Sequence, residues 1–533
     1  MGPMGGGAMG GGPMGGGPMG GGRMGPMGGG RMGPMGGGPM GGGAMGGGAM
    51  GGGKYDSRQT TWALSNAARV DDVLSICRDH LQELSLVNVN AALGRLAKFG
   101  RLDRDLGADG TFVELLRLAC GFAKNGQYPP REMSNTMHAI AKMRKVKAVR
   151  GAKGEIADLI AAMDVQAGEV ARNMQAQHLT NVMWAYATMG KTPEAATWDA
   201  LERRAQEVAR DMSAQHVANL TWAYATLGRA PGAATWDALE RRAGEVARDM
   251  IPQGVSNFTW ACATLGRVPG TATWEALGRR AGEVARDMIP QNIANLMWAY
   301  ANLGKTPGAA TLEALERRAL QVARNMIPQD IANLMGAHAT LGRAPGAATF
   351  DALERRALEV ARNMVSQDVA SLMKAYATLG RAPGAATWEA LERRAGELAR
   401  NMVPQDVTAL MWAYATLGRA PGAARWEALD RRAGEVARDT VPEGVATLTW
   451  KLTPTHVSDL TWAYATLGRA PGAATFEALE RKASEAVRDM TPKEMTNLTW
   501  AFSALGRVPS LALKEALERR AGELARYTDA EEA

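Results

Sequence analysis

From Thr235 to Gly266 the chain reads TWDALERRAGEVARDMIPQGVSNFTWACATLG, and its apolar and polar positions follow two successive helical patterns. In the first half Trp236, Leu239, Ala243, Val246, Ala247 and Met250 fall in one stripe of helical period, with Asp237, Arg241, Glu245 and Arg248 opposite. This predicts an amphipathic helix, here helix A. The second half opens at Pro252, whose missing backbone donor suits a first helical turn, and stops at Leu265 and Gly266. Its pattern predicts helix B, which is apolar nearly all round. In a neighbouring copy Val217, Leu220, Tyr224 and Leu227 make one face, while Gln215, Asn219, Trp222 and Thr226 make an uncharged second face. A helix without a charged face must lie between neighbours, so one hairpin cannot stand alone.

The pattern returns at a fixed beat. The helix B tryptophan recurs at Trp184, Trp222, Trp260 and Trp298, then at Trp412 and Trp450, all multiples of 38 residues apart, and Gly336 and Lys374 occupy the two missing slots. The helix A aromatic keeps the same spacing at Trp198, Trp236, Trp274, Phe350, Trp388 and Trp426, with Leu312 substituting once. A period of this length with two helical halves predicts an all-α solenoid of helical hairpins, each joined to the next by a Gly- and Pro-containing turn such as GRAPGAAT.

Three regions are expected. Residues 1–53 are almost wholly Met, Gly and Pro, with nothing to bury, and are expected to be disordered. Residues 54–164 carry worn copies: VNVNAALGRLAKFG places Gly94 in the tryptophan slot, and PREMSNTMHAIAKMRK places His138 there. They are expected to cap the array. Residues 165–527 form the regular array, interrupted by a 12-residue insertion near 451–462, where TPTHVSDLTWAY repeats the helix B opening and moves the tryptophan to Trp462. Pro454 is expected to break any helix running through this point, leaving an extra or kinked helix. The chain is expected to finish in a lone helix A from Ala512 to Tyr527.

Composition narrows the function. Hydrophobic residues make up 46% of 533, enough for a continuous core, and the formal net charge is +7. Cys77, Cys120 and Cys262 lie far apart in apolar settings and read as buried thiols rather than disulfides or metal ligands. The carboxylates recur with the repeat, and no strand, phosphate loop or metal-ligand spacing accompanies them, so neither an enzyme nor a bound cofactor or metal is expected. No stretch is long and apolar enough to span a membrane. The Met/Gly/Pro tract has neither the apolar run of a secretory signal nor the amphipathic character of a transit peptide.

Three features suit an extended anionic ligand. The first is an arginine ladder. One rung is Arg203, Arg241, Arg279, Arg317, Arg355 and Arg393, each the first of an Arg-Arg pair, and a second rung lies seven residues on at Arg210, Arg248, Arg286, Arg324, Arg362 and Arg400. Guanidinium groups at repeat spacing can neutralise a phosphate backbone, and they can equally satisfy carboxylates one turn away, as in the series Asp237, Arg241, Glu245, Arg248. The second feature is an uncompensated basic run containing Lys142, Lys145 and Lys147, which suits either a solvated turn or an anionic partner. The third is variation at the start of helix B, where two positions three residues apart read His216 and Asn219, Gly254 and Asn257, Asn292 and Asn295, Asp330 and Asn333, Asp368 and Ser371, then Asp406 and Ala409. A near-constant frame carrying a changing polar pair is the design of one-base-per-repeat RNA readers, and exposed first-turn positions also drift freely. The helix B tryptophans are expected to be core, with Trp222→Ala costing about 3 to 5 kcal/mol.

The 38-residue period, the helix A segment TWEALERRA and the helix B segment PQNIANLMWAYANLG from Pro290 to Gly304 resemble the octotricopeptide repeat family. The resemblance covers about residues 165–527 and departs at Gly336 and Lys374, which lack the tryptophan. It implies a right-handed α-α superhelix that binds single-stranded RNA in a chloroplast or mitochondrion and acts in transcript stabilisation, processing or translation. Without such import a cytoplasmic location is expected. Reading about one base per repeat, the array would cover about nine to eleven nucleotides. A protein-interaction scaffold of tetratricopeptide type is the alternative, because it shares the hairpin geometry.

Overall fold

The computed structural model describes residues 57–99, 105–438 and 452–531, with side chains to Leu524. The Met/Gly/Pro tract and the segment 439–451 lie outside the described residues, and with them the expectations of a disordered tail and of a fault beginning at Lys451. The fold is an all-α helical solenoid: twenty-four α-helices and no strand are found among the described residues. It divides into two compact units between Arg280 and Ala281. Within each, helix A packs on the A helices of adjacent repeats and helix B on the B helices, the B contacts being the denser.

The repeat forms as its residues dictate, with one difference at the turn. Helix A spans Ala233–Val246 and helix B spans Pro252–Thr264, with Pro252 in the first turn. Gly266 follows at φ +64, a left-handed conformation that lets its own N–H and that of Arg267 return to the carbonyls of Ala263 and Cys262. Helix A ends earlier than its stripe suggests, because the chain tightens into a 3-10 turn, Ala247–Asp249, that drops Met250 into the core at 1% exposure. Arg248 therefore sits in this turn rather than two turns along helix A from Arg241.

The helix A aromatic is the core of each hairpin. Trp198 and Tyr224 are buried and meet edge to face with ring centres 5.5 Å apart, an arrangement repeated by Phe350 and Tyr376 at 5.8 Å and by Trp388 and Tyr414 at 5.6 Å. Burying each such side chain contributes roughly 2 to 3 kcal/mol. Where Leu312 replaces the aromatic, His338 replaces the tyrosine and bonds the Arg343 carbonyl oxygen at 3.0 Å.

Polar bonds then tie each repeat to the one before. The second arginine of each pair donates Nε to a methionine carbonyl thirty residues back: Arg204 to Met174 at 2.7 Å, Arg242 to Met212 at 2.7 Å, Arg356 to Met326 at 2.9 Å and Arg432 to Met402 at 2.9 Å. Glu202 accepts from Trp198 Nε1 and from the Gly232 N–H of the next turn. These contacts correct the ion-pair series expected along helix A. Glu245 pairs with Arg242 at 2.8 Å, whereas the carboxylate paired with Arg248 is Asp249 at 3.9 Å.

The described residues of the worn segment 54–164 also form alternating A and B helices. The two segments aligned with helix B are helical at Leu86–Leu96 and Pro130–Lys145. Ser57–Asn66 packs against Leu86–Leu96 and so stands first in the B stack, with Trp62 in TTWALSN at the tryptophan slot. This copy went unrecognised in the sequence because only 32 residues separate it from Gly94. Past the junction, Pro454 opens the helix Pro454–Thr466 rather than kinking one, and the final helix spans Leu511–Glu531. Cys77, Cys120 and Cys262 are free and buried.

Candidate nucleic-acid interface

Of the residues proposed to meet RNA, the second arginine rung and the variable pair lie on the short path from the A–B turn into helix B. Arg210, Arg324, Arg362 and Arg400 sit in 3-10 turns, exposed and without an ion pair among the described residues. The side chains of Arg248 and Arg286 are 87% and 86% exposed. The other rung behaves differently. Arg203, Arg241, Arg279, Arg317, Arg355 and Arg393 are exposed on helix A, but Arg317 and Arg393 are held by Glu313 at 2.6 Å and Glu389 at 3.3 Å, and Arg279 lies 3.9 Å from Glu275.

The first variable position of helix B is not an exposed edge. Asp330, Asp368 and Asp406 are 6 to 8% exposed, and Asn292 is buried with them. Each residue here is the third of its helix and folds back on the residue preceding it. The Ile327 N–H donates to Asp330 Oδ2 at 3.2 Å, the Val365 N–H to Asp368 Oδ2 at 3.1 Å, the Ile289 N–H to Asn292 Oδ1 at 3.3 Å and the Ser213 N–H to His216 Nδ1 at 3.3 Å. This half of a capping box explains why the slot holds His, Asn, Asp or Glu, all acceptors. Gly254 has no side chain and leaves its helix start to a backbone bond with the Ile251 carbonyl. The second position varies in depth: Asn257 and Asn295 are buried, while Asn219, Asn333 and Ser371 are half-buried.

Burial raises the carboxyls of Asp330 and Asp406 to about 6, and Asp368 shifts the same way. Desolvation is the main cause in all three, and the Asp368 charge adds to it for both neighbours. Asp459 is raised to about 6 by burial, against the opposing pull of Lys374. The B helices of residues 281–531 thus carry a row of carboxyl groups.

In the unit ending at Arg280 the balance is reversed. Lys142 and Lys145 have depressed amines, first through burial and then through Lys98 and Lys142 respectively, so three ammonium groups share one region of the B stack. His138, pushed down to about 4 by burial with a smaller contribution from Lys142, lies tilted at 36° against Trp184 with ring centres 4.6 Å apart. Lys147 sits past the helix end at φ 59, the one non-glycine left-handed residue among those described, so this predicted phosphate ligand also caps a helix.

The helix B tryptophans are less buried than expected. Trp184, Trp222, Trp298, Trp412 and Trp462 are half-buried, Trp260 is 9% exposed and Trp500 46%. One arginine class escaped the sequence reading altogether. Arg229 of the GRAPG turn lies over Trp198 at 4.2 Å, and Arg381 and Arg419 lie over Phe350 at 3.7 Å and Trp388 at 4.1 Å. Its signal was the arginine following nearly every helix B glycine.

Among the described residues no cluster of His, Cys, Asp and Glu could hold a metal ion, and no helix is long and apolar enough to cross a membrane. No family model matches the chain, and no curated protein matches it in sequence. Among solved structures it is similar to a homology model of the full-length AP-3 complex in an intermediate open conformation, at 8% identity and a TM-score of 0.30 over 85% of this chain and 83% of that one. An engineered protein matches at 9% identity and a TM-score of 0.18 over 71% of this chain and 98% of that one. Neither score carries an argument about function. The class defined by the fold is a helical-repeat protein.

Proposed function

We propose that the chain binds single-stranded RNA along the starts of its B helices, with the turn arginines neutralising phosphates and the half-buried second positions of helix B, Asn219, Asn333 and Ser371, meeting bases. The observation that supports this reading is the solvent-facing guanidinium carried by the A–B turns of the regular array, unpaired at Arg210, Arg324, Arg362 and Arg400. Each of these turns leads directly into the N-terminus of a B helix, where the helix dipole favours negative charge. The cluster of Lys98, Lys142 and Lys145 adds a second cationic region. Placement in a chloroplast or mitochondrion, and a role in transcript stabilisation, processing or translation, belong to the same proposal through the octotricopeptide resemblance.

A second reading, a protein-interaction scaffold, is favoured by the balanced charge of helix A, where the exposed Arg317 and Arg393 are held by Glu313 and Glu389. Binding of short single-stranded RNAs across a salt series separates the two. Replacing Arg324, Arg362 and Arg400 with Gln should reduce the slope of log affinity against log salt by about 2, from about 0.7 per phosphate contact. An unchanged slope removes the arginine assignment. Absence of RNA binding together with capture of a peptide of mixed charge favours the scaffold.

A further inference from the structure

Among the described residues, five successive B helices of the regular array start from an aliphatic residue that reaches water. Ile251, Ile289, Ile327 and Val365 are 60, 44, 49 and 56% exposed, and Val403 is half-buried. Each is the N-cap of its helix and makes no side-chain capping bond. Other repeats show what the position otherwise does. The hydroxyls of Ser213, Thr453 and Thr491 accept from the backbone N–H of His216, His456 and Glu494 at 3.3, 3.3 and 3.4 Å. The aliphatic residues thus forgo a cap without gaining burial. One such side chain would be ordinary, but the same choice in five copies at one register places apolar groups for a contact outside the chain.

The neighbouring charge narrows what that contact is. Arg324 precedes Ile327 by three residues, Arg362 precedes Val365 and Arg400 precedes Val403, each arginine exposed and without an ion pair among the described residues. Within residues 281–531 the B helices that begin here pack on one another in turn. A cation and an aliphatic side chain therefore recur together at the separation of packed helices, about 8 to 10 Å. An unpaired nucleic-acid strand offers a matching pair in every nucleotide, a phosphate for the cation and a flat base face for the aliphatic group. Its bases must be unstacked, because stacked bases lie much closer together than adjacent repeats do.

We propose that Ile289, Ile327, Val365 and Val403 are wedges that enter between successive bases of a bound single strand, while the arginine preceding each holds a phosphate. Ile251 has the same local arrangement in the other unit. Aliphatic wedges part bases without distinguishing them. The row therefore sets the spacing of the strand and excludes a duplex, leaving base selection to other positions. The proposal rests on the RNA reading and narrows it to the form of RNA that is bound.

The test uses the full chain with Ile289→Thr, Ile327→Thr and Val365→Thr combined, Thr being the residue found at Thr453 and Thr491. The urea midpoint should be unchanged or higher, because Thr restores the cap. Binding to a pool of random-sequence single-stranded RNA should weaken roughly tenfold, about what burial of the exposed parts of three aliphatic side chains is worth. The slope of log affinity against log salt should stay the same, since no phosphate contact is lost. Ile289→Val with Ile327→Val should bind as wild type. A 2-aminopurine within a strand selected from the pool should brighten as wild type separates it from its neighbours, and much less with the Thr variant. If the Thr variant does not fold, Ile327→Ser, which matches Ser213, is read alone. A folded variant with wild-type RNA affinity and wild-type fluorescence overturns the wedges while leaving RNA binding intact. Unchanged RNA affinity with loss of binding to a glutamate-rich amphipathic peptide, or to vesicles of phosphatidylglycerol and phosphatidylcholine, also overturns them and gives the row another occupant. If wild type retains no RNA, the RNA reading itself falls, and the wedges with it.

Discussion

Arg432 donates its Nε to the carbonyl of Met402 at 2.9 Å, with its side chain 4% exposed, while Arg431 beside it is exposed to solvent. Two adjacent and chemically identical residues thus do unrelated work, one locking a repeat to its predecessor and the other standing free. Arg432→Ala should destabilise by about 3 to 5 kcal/mol, because it leaves Met402's carbonyl and the half-buried Glu435 without their partner. Arg431→Ala should stay within about 0.5 kcal/mol. Urea unfolding midpoints of the two variants check the contrast, and equal shifts would refute the division of roles.

A second contrast concerns the buried tyrosines. Tyr186 donates its hydroxyl to Asp164 at 2.6 Å and Tyr464 to Asp430 at 2.8 Å, whereas the hydroxyls of Tyr224 and Tyr414 find no protein partner. The repeats differ by one methylene: Glu202 and Glu392 stand where Asp164 and Asp430 stand; all four accept an N–H of the next turn, and only the two aspartates also receive the tyrosine hydroxyl. Tyr186→Phe and Tyr464→Phe should each cost about 1 to 2 kcal/mol, and Tyr224→Phe should be neutral or slightly stabilising. Thermal unfolding of the single variants measures this.

The buried carboxyls make stability depend on pH in a direction opposite to the usual acid response. Because Asp330 and Asp406 are raised to about 6 when folded, the native state holds protons that the unfolded chain has already lost. Their contribution is therefore full below the unfolded value near 4 and is lost as pH rises through about 6. Asp330→Asn and Asp406→Asn keep the capping acceptor, as Asn292 does naturally. Both should raise stability at pH 7 and flatten this part of the profile. A denaturation series from pH 4 to 8 in which the asparagine variants track wild type would contradict the assignment.

Lys147 occupies, at φ 59, the position that glycine holds after the regular B helices. Lys147→Gly should stabilise the chain by about 1 kcal/mol by removing left-handed strain from a residue with a Cβ. The same variant examines its predicted phosphate role. If RNA affinity falls while stability rises, Lys147 acts in binding, and if only stability changes, its place is set by the helix end.

The sequence by itself determined the period, the two helices of each repeat and the face each one buries. Pro252, Gly266, Trp236 and Tyr224 act through bonds and contacts that are local or recur in most copies, so their spacing carries the information. The tertiary structure alone decided what the polar residues do. Arg241 and Arg242 are adjacent in a copied text, yet only the distance between stacked helices brings a carbonyl thirty residues away to Arg242. Asp330 read as an exposed variable edge and is a buried cap, because the preceding turn and the neighbouring B helices close over it. The helix Ser57–Asn66 joined the B stack through packing across a shortened repeat, which no fixed period reveals. A periodic pattern records which way a side chain faces on its own helix; its partner is set by how closely the next helix approaches.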